Sequence, residues 1–283
     1  KMFQKGLGAD MHHVSGALAS AMNLGRVLVI NSTLNGGDWK YARGQKPPHP
    51  DFYFEPITNC TWEHYSKSVK LYVGPEYPGM RPSAKHSLEM PKQWERMGYT
   101  WWRGQSMRYI MRPNRWFVEY LAGVNDALLE PVVVPPYAIS IHVRRSDKVG
   151  SFSKGKEMDA VPLAEYMEYA ELVRSIYPQA NTVYLSSEDG NVFRQAKEYT
   201  NFTILSVPED RANLNHDQFV KRFGAVKMME VSMLNLLFHQ QCTFFIHTRK
   251  SNWCRLIDEF RLTGGRYNNL MVWVNGAPAN GPI

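Results

Sequence analysis

Ile139-Ser-Ile-His-Val-Arg-Arg-Ser-Asp-Lys-Val-Gly150 starts as a largely apolar run and ends in three cations, with a histidine before them and an aspartate among them. The apolar half reads as a buried parallel strand, and ligands of open α/β sheets bind at the carboxyl ends of such strands. Arg144, Arg145 and Lys148 stand at that end. Guanidinium groups match phosphate oxygens bidentately, so the pattern points to a seat for a diphosphate. Glu157 downstream supplies a candidate base. Arginines at a strand end also pair with ordinary surface carboxylates, and the stretch alone leaves the two readings level.

Outward from this strand the pattern is regular. Strand-like runs at 138–143, 182–187, 203–206 and 243–248 alternate with helix-like runs at 162–175, 190–200, 222–240 and 251–262. Such alternation predicts parallel βαβ units and a Rossmann-like nucleotide domain, and the lack of a GxGxxG turn speaks against a dinucleotide. Pro131, Pro135 and Pro136 mark the expected domain boundary. The last strand, Thr243-Phe-Phe-Ile-His-Thr248, runs into Arg249-Lys-Ser-Asn-Trp-Cys-Arg255. Ser251 is an expected N-cap there, and a helix starting at Asn252 would aim its amides at the sheet edge that Arg144 occupies. Two phosphate-competent features therefore converge, although a capped helix is also an ordinary structural device.

Before the boundary, Gly6 and Gly8 precede a helix-like segment from Asp10 to Asn23, followed by an expected strand at 26–30. A glycine turn feeding a helix N-terminus is a ready anion site. His12 and His13 project about 100° apart on that helix and cannot chelate one metal, so one is expected to pack and the other to face a cleft. Residues 31–66 read as a long loop, either shaping a cleft or a structural excursion. A short strand is expected at 68–73, then helices at about 100–112 and 114–129, whose Trp101, Trp102, Tyr109, Trp116, Phe117 and Tyr120 have core spacing.

The chain has 283 residues, 44% of them hydrophobic, enough for about two domains with a substantial core. No apolar run is long enough for a membrane span, and any membrane attachment is expected from an anchor outside this chain. A net charge of +7 favours acidic ligands, but the cations are scattered, so small phosphorylated substrates fit better than nucleic acid. Cys60, Cys242 and Cys254 allow at most one internal disulfide and have no zinc spacing. Sequons at Asn31, Asn59 and Asn201 lean toward a secretory-pathway protein.

In this order the residues resemble the inverting α1,6-fucosyltransferases, the family of the core fucosyltransferase of N-glycans and of bacterial enzymes that fucosylate chitin oligosaccharides. The similar stretches are Gly6-x-Gly8 with His12-His13-Val14, Trp39-Lys-Tyr-Ala42, Trp101-Trp102, Arg112-Pro113 before Trp116, His142-Val-Arg-Arg-Ser-Asp-Lys-Val-Gly150, Glu165-Tyr-Met167, Tyr184-Leu185, and Thr248 with Cys254-Arg255. They cover about residues 5 to 256, and the His142 to Gly150 block is the specific part.

The resemblance implies a GT-B-like α/β glycosyltransferase, with residues 1–130 a smaller α/β domain on the acceptor side and residues 131–283 a Rossmann-like nucleotide-sugar domain. It implies GDP-fucose as donor, an oligosaccharide or glycoprotein acceptor, no metal cofactor, and a place in the Golgi lumen. Arg144 matches the arginine on the diphosphate, His142 a residue at the guanine, Ser251 a phosphate ligand and Lys148 a lysine beside the leaving group. Glu157 matches the base if five extra residues, Ser151 to Gly155, precede it, with Asp159 competing. Tyr166 and Asp189 match site-lining positions, and Arg145, Asp147 and Asn252 join the expected substrate contacts with Gly6, Gly8 and His12.

The departures are as definite. Asn235 stands where the family has an aspartate that receives guanine N–H groups, and His247 stands where the family has the cysteine partner of Cys254. The tail from Asn268 to Ile283 has no match. Asn235 keeps a different nucleotide sugar open, and the insertion before Glu157 keeps a binding protein without turnover open. No Asp-x-Asp occurs, so arginine and lysine are expected to neutralise the leaving diphosphate in place of a metal.

Overall fold

The computed structural model describes residues 6–30, 38–61, 63–64, 89–128, 131–145, 160–207, 214, 216–265 and 271–274. They divide into two compact units, one reaching Tyr120 and the other starting at Leu121.

In the first unit, helix α1 (Leu7–Asn23) buries Leu7, Met11 and Val14, a stripe at helical spacing, and packs on helix α2 (Tyr99–Ile110). Short 3-10 turns follow at Lys40–Ala42 and Pro50–Phe52, and helix α3 (Arg115–Asp126) begins beside them. Trp39, Tyr41, Tyr53, Phe54 and Phe117 are fully or almost fully buried, and their rings meet at tilted or edge-on angles. The described part of the expected loop, 38–61, therefore supplies an aromatic core rather than an excursion. Its polar groups are satisfied inside it: the Trp39 indole donates to buried Asp10 at 3.3 Å and the Tyr53 hydroxyl to the Tyr41 carbonyl at 2.7 Å. Of the six aromatics expected in the core, Phe117 is fully buried, Trp101, Trp102 and Tyr120 are half-buried, and Tyr109 and Trp116 are exposed. The strand expected at 26–30 does not form among the described residues; Val27 is 60% exposed, and no described partner strand pairs with the segment. The strand expected at 68–73 lies outside the described residues.

The second unit is a five-stranded, wholly parallel sheet of β1 (Ile139–Val143), β2 (Thr182–Ser187), β3 (Thr203–Leu205), β4 (Phe244–Thr248) and β5 (Met271–Val274), in the order β3-β2-β1-β4-β5. Helices α4 (Leu163–Ile176), α5 (Gly190–Ala196), α6 (His216–Phe223), α7 (Ala225–Gln241) and α8 (Asn252–Thr263) connect and flank the strands. β5 falls in the stretch for which the sequence offered no match. The helix expected at 222–240 starts at Ala225, and a separate helix, α6, precedes it, because Gly224 between them takes φ +88, a left-handed conformation that L side chains rarely adopt.

Side chains alternate across β1. Ile139, Ile141 and Val143 join an apolar cluster with Val183, Leu185, Phe244 and Ile246 and with Leu163, Tyr166, Met167, Ala170 and Val173 of α4. Ser140 and His142 turn to the other face, toward α7, and are buried too. The central strand is thus buried on both sides, with its own side chains apolar on one face and polar on the other.

Candidate active site

The strand order reverses between β1 and β4: the chain steps outward through β2 and β3, then resumes on the opposite side of β1. Ligands of such sheets bind beyond the carboxyl ends at this switch point. Arg144 and Arg145 directly follow β1, and Ser251 with the start of α8 lies three residues past β4. The Ser251 hydroxyl accepts the Cys254 amide at 3.3 Å, so it is the N-cap of a twelve-residue helix whose remaining first-turn amides face outward along the axis.

A third element contributes a residue that the sequence did not single out. Val143 is in register with Ser187, so Glu188 emerges beside Arg144. Its carboxylate accepts from Arg144 Nη1 and, at 2.8 Å, from the Arg145 backbone amide. The carboxylate side chain is 9% exposed and the guanidinium 21%. One acid therefore clamps the side chain of one arginine and the main chain of the next, and fixes where β1 ends. The Ser187 hydroxyl adds a bond to the Val143 carbonyl at 2.8 Å and receives the Asp189 amide at 3.1 Å.

Around this clamp the electrostatics are coupled. Burial, first of all, raises the Tyr166 phenol above its ordinary pKa; Cys254, Glu165 and Glu188 add to the rise and Arg145 opposes it. Burial pushes the Cys254 thiol up to about 12, against hydrogen bonds from Ser251 and Thr248 and the charge of Arg144. Tyr166 thus keeps its proton and Cys254 is a neutral, free thiol. Three buried polar atoms here, Arg145 Nη1, Tyr166 Oη and Thr248 Oγ1, have no hydrogen-bond partner among the described residues. Such groups are costly to leave unmet, and an anionic ligand would satisfy both the cation and the hydroxyl donors.

The other expected site residues are placed as follows. His142 is buried one residue before the end of β1, its Nδ1 2.8 Å from the Ser186 hydroxyl. Asp189 caps α5 by accepting the Asn191 amide at 2.8 Å, and Asn252 accepts from Arg255 on the first turn of α8. Asn235 does not share the edge. It lies two strand positions deeper, where its amide oxygen accepts the Tyr184 hydroxyl at 2.8 Å and its NH2 donates to the Val231 carbonyl at 2.9 Å. A buried phenol needs an acceptor, and the amide meets that need within the core. Gly6 is the N-cap of α1 and Gly8 is buried in its first turn, with His12 and His13 both half-buried on that helix. Asp147, Lys148, Glu157 and Asp159 lie outside the described residues. Among the described residues, no group of three or more His, Cys, Asp or Glu side chains is set to hold a metal ion, and no helix is long and apolar enough to cross a membrane.

An all-parallel sheet with cationic and amide donors gathered at its switch point defines a nucleotide-binding α/β protein, and comparison narrows the class. The fold is GT-B-like: POFUT1 in complex with GDP superposes with a TM-score of 0.51 at 11% identity, covering 96% of either chain. NodZ α-1,6-fucosyltransferase soaked with GDP-fucose superposes with a TM-score of 0.50 at 17% identity, over 90% of this chain and 89% of that one. A family model described as α-(1,6)-fucosyltransferase N- and catalytic domains matches residues 83–267, and the chain belongs to that family. The α-(1,6)-fucosyltransferase of Drosophila melanogaster is 24% identical over 286 residues, which cover 91% of this chain; the chain spans 42% of that relative's length.

Proposed function

We propose that this chain transfers fucose from GDP-fucose to a glycan hydroxyl with inversion, the acceptor being the 6-hydroxyl of a GlcNAc-containing oligosaccharide or glycoprotein. The observation that carries the reading is the clamp of Arg144 by Glu188 beside the α8 N-terminus. Displacing GDP from the sugar breaks the bond from the anomeric carbon to phosphate oxygen while the acceptor oxygen forms its bond from the opposite face. Negative charge grows on the diphosphate, where Arg144, Arg145, Ser251 and the helix amides stabilise it without reorganising. Lys148 neutralises the departing oxygen, and Glu157 takes the acceptor proton, with Asp159 the competing base. His142 lies at the base, and Tyr166, Asp189 and Asn252 line the site. These cations take the place of a metal, so no divalent ion is required. The sequons support a secretory-pathway location in the Golgi lumen; Asn59 and Asn201 are exposed. A second reading, a different nucleotide on the same fold, is favoured by Asn235, whose amide is committed to Tyr184 and Val231.

The test is fucose transfer from GDP-fucose to a panel of GlcNAc-containing acceptors in excess EDTA, followed by mass spectrometry, for the wild-type chain, Glu157→Gln and Asp159→Asn. Glu157→Gln should keep GDP binding and lose about 10²- to 10⁴-fold in turnover. Normal transfer by Glu157→Gln with loss in Asp159→Asn reassigns the base. Turnover that EDTA abolishes and magnesium or manganese restores overturns the metal-free mechanism, and a donor other than GDP-fucose establishes the second reading.

A further inference from the structure

On the face of the sheet that meets α7, three histidines and two serines form one unbroken chain. His142 Nδ1 is 2.8 Å from the Ser186 hydroxyl, which is 2.6 Å from His239 Nε2; His239 Nδ1 is 2.7 Å from the Ser140 hydroxyl, which is 2.7 Å from His247 Nε2. The chain crosses β2, β1 and β4 with His239 of α7 at its centre, and all five residues are buried, His239 and His247 completely. From the geometry we infer that Ser186, His239, Ser140 and His247 are positioning residues, which fix His142 with its proton on Nε2 and so make it a hydrogen-bond donor toward its ligand.

A neutral imidazole has one donor and one acceptor, and a serine hydroxyl has one proton to give. Neither the Ser140 nor the Ser186 hydroxyl has a partner outside this chain among the described residues, so each gives its proton to one ring and accepts from the other, and the direction at any one link sets every other. In one direction all three rings carry the proton on Nδ1. In the other, His247 Nε2–H donates to Ser140, Ser140 to His239 Nδ1, His239 Nε2–H to Ser186, and Ser186 to His142 Nδ1, so all three carry it on Nε2. A charged ring would break this rule, but burial, with His247 and His142 alongside, lowers the His239 pKa well below 6.5, and burial beside Arg261 pushes His247 down to about 3. The two ends decide the direction together. His247 Nδ1 is buried and has no hydrogen-bond partner among the described residues. With the protons on Nδ1 that closed end holds an orphaned N–H; with the protons on Nε2 the terminal N–H falls on His142 Nε2, which is buried too, and an acceptor on the expected base meets it there, so a bound ligand favours the Nε2 direction.

The consequence for selectivity rests on the proposed function, which puts His142 at the base. An Nε2–H donor placed at O6 of guanine would meet the exocyclic amine of adenine there, whereas N7 accepts in both purines and separates neither. The relay would thus select an oxo base without charge where the ring reaches the 6-position.

The tautomers are read directly from long-range ¹H–¹⁵N spectra of the full chain labelled with ¹⁵N-histidine, with saturating GDP, the three signals being assigned with single His→Gln variants. All three rings protonated on Nε2 is the expected result; Nδ1–H at any of them, or a mixture at His142, overturns the inference and needs no variant of the relay's serines to fold. Ser140→Ala, two links away from His142, should release His142 into a tautomer mixture, and Ser140→Thr, which keeps the hydroxyl, should restore it. An unchanged His142 in Ser140→Ala overturns the coupling. The preference for GDP over ADP, measured by calorimetry, should narrow roughly fivefold in Ser140→Ala, the worth of one neutral hydrogen bond. If the tautomer responds and the preference does not, the selective role fails, and with it the placement of the base at His142, while the relay itself stands.

Discussion

An arginine that is to meet a diphosphate must be held in place before the ligand arrives, or its long side chain loses rotamer freedom on binding. Glu188 does this for Arg144, because the register of β1 on β2 brings the two residues out of the sheet side by side. The same carboxylate tempers the local charge, so that the cation is not stranded when the site is empty. The fork matters as much as the charge, since only a guanidinium serves Glu188 and two phosphate oxygens at once. Arg144→Lys should therefore lose on the order of 10²-fold in turnover, nearly as much as Arg144→Ala, with the fold retained by circular dichroism. Full activity in the purified lysine variant removes Arg144 from the phosphate. The arginines were legible in the sequence as cations ending an apolar strand. Glu188 was not, because its meaning depends on which residue of β2 stands level with Val143, and register is a property of the assembled sheet.

Elements whose local pattern and burial agreed were legible. β1, β2, β3 and β4 form within a residue or so of their expected bounds, since parallel strands covered on both faces read as short apolar runs between helices. The segment at 26–30 has the same composition but no described partner strand, and a strand without a neighbour is only an extended chain. The alternation Ile139-Ser140-Ile141-His142-Val143 carries a polar face toward α7 inside a largely apolar run, and composition alone does not separate the two faces. α8 unites structure and site in one residue. Ser251 caps the helix, and in the proposed function its hydroxyl also meets the diphosphate, so the two roles need separate substitutions. Ser251→Ala should cost about 1 kcal/mol of stability through loss of the cap. Ser251→Asp keeps a good cap and adds charge favourable to the helix dipole, so its melting temperature should match or exceed that of wild type. Its GDP affinity should nevertheless fall at least tenfold by calorimetry, because the new carboxylate opposes the phosphates. Unchanged GDP affinity in Ser251→Asp would show that Ser251 is a cap and nothing more.

At the scale of the molecule, the second unit sets a seam of histidines and serines into the buried contact between its sheet and α7, and this has a cost that depends on pH. His239 and His247 are fully buried with pKa values lowered from 6.5, well below it for the former and to about 3 for the latter, chiefly by desolvation. The unfolded chain therefore binds protons that the folded chain refuses once pH drops through about 6.5. Stability is fully present above that point and is lost as pH falls toward 3, by up to about 1.4 kcal/mol per pH unit for each histidine. Urea unfolding at pH 7.5 and at pH 5 should show the effect as a lower midpoint in acid. Two units can give two transitions, so the one that belongs to the sheet is identified by His247→Gln, which removes one refused proton and should flatten its pH slope by about half while leaving the other transition in place. A midpoint that does not move between the two pH values would mean that His239 and His247 take up protons as readily in the folded chain as in the unfolded one, against their lowered pKa values.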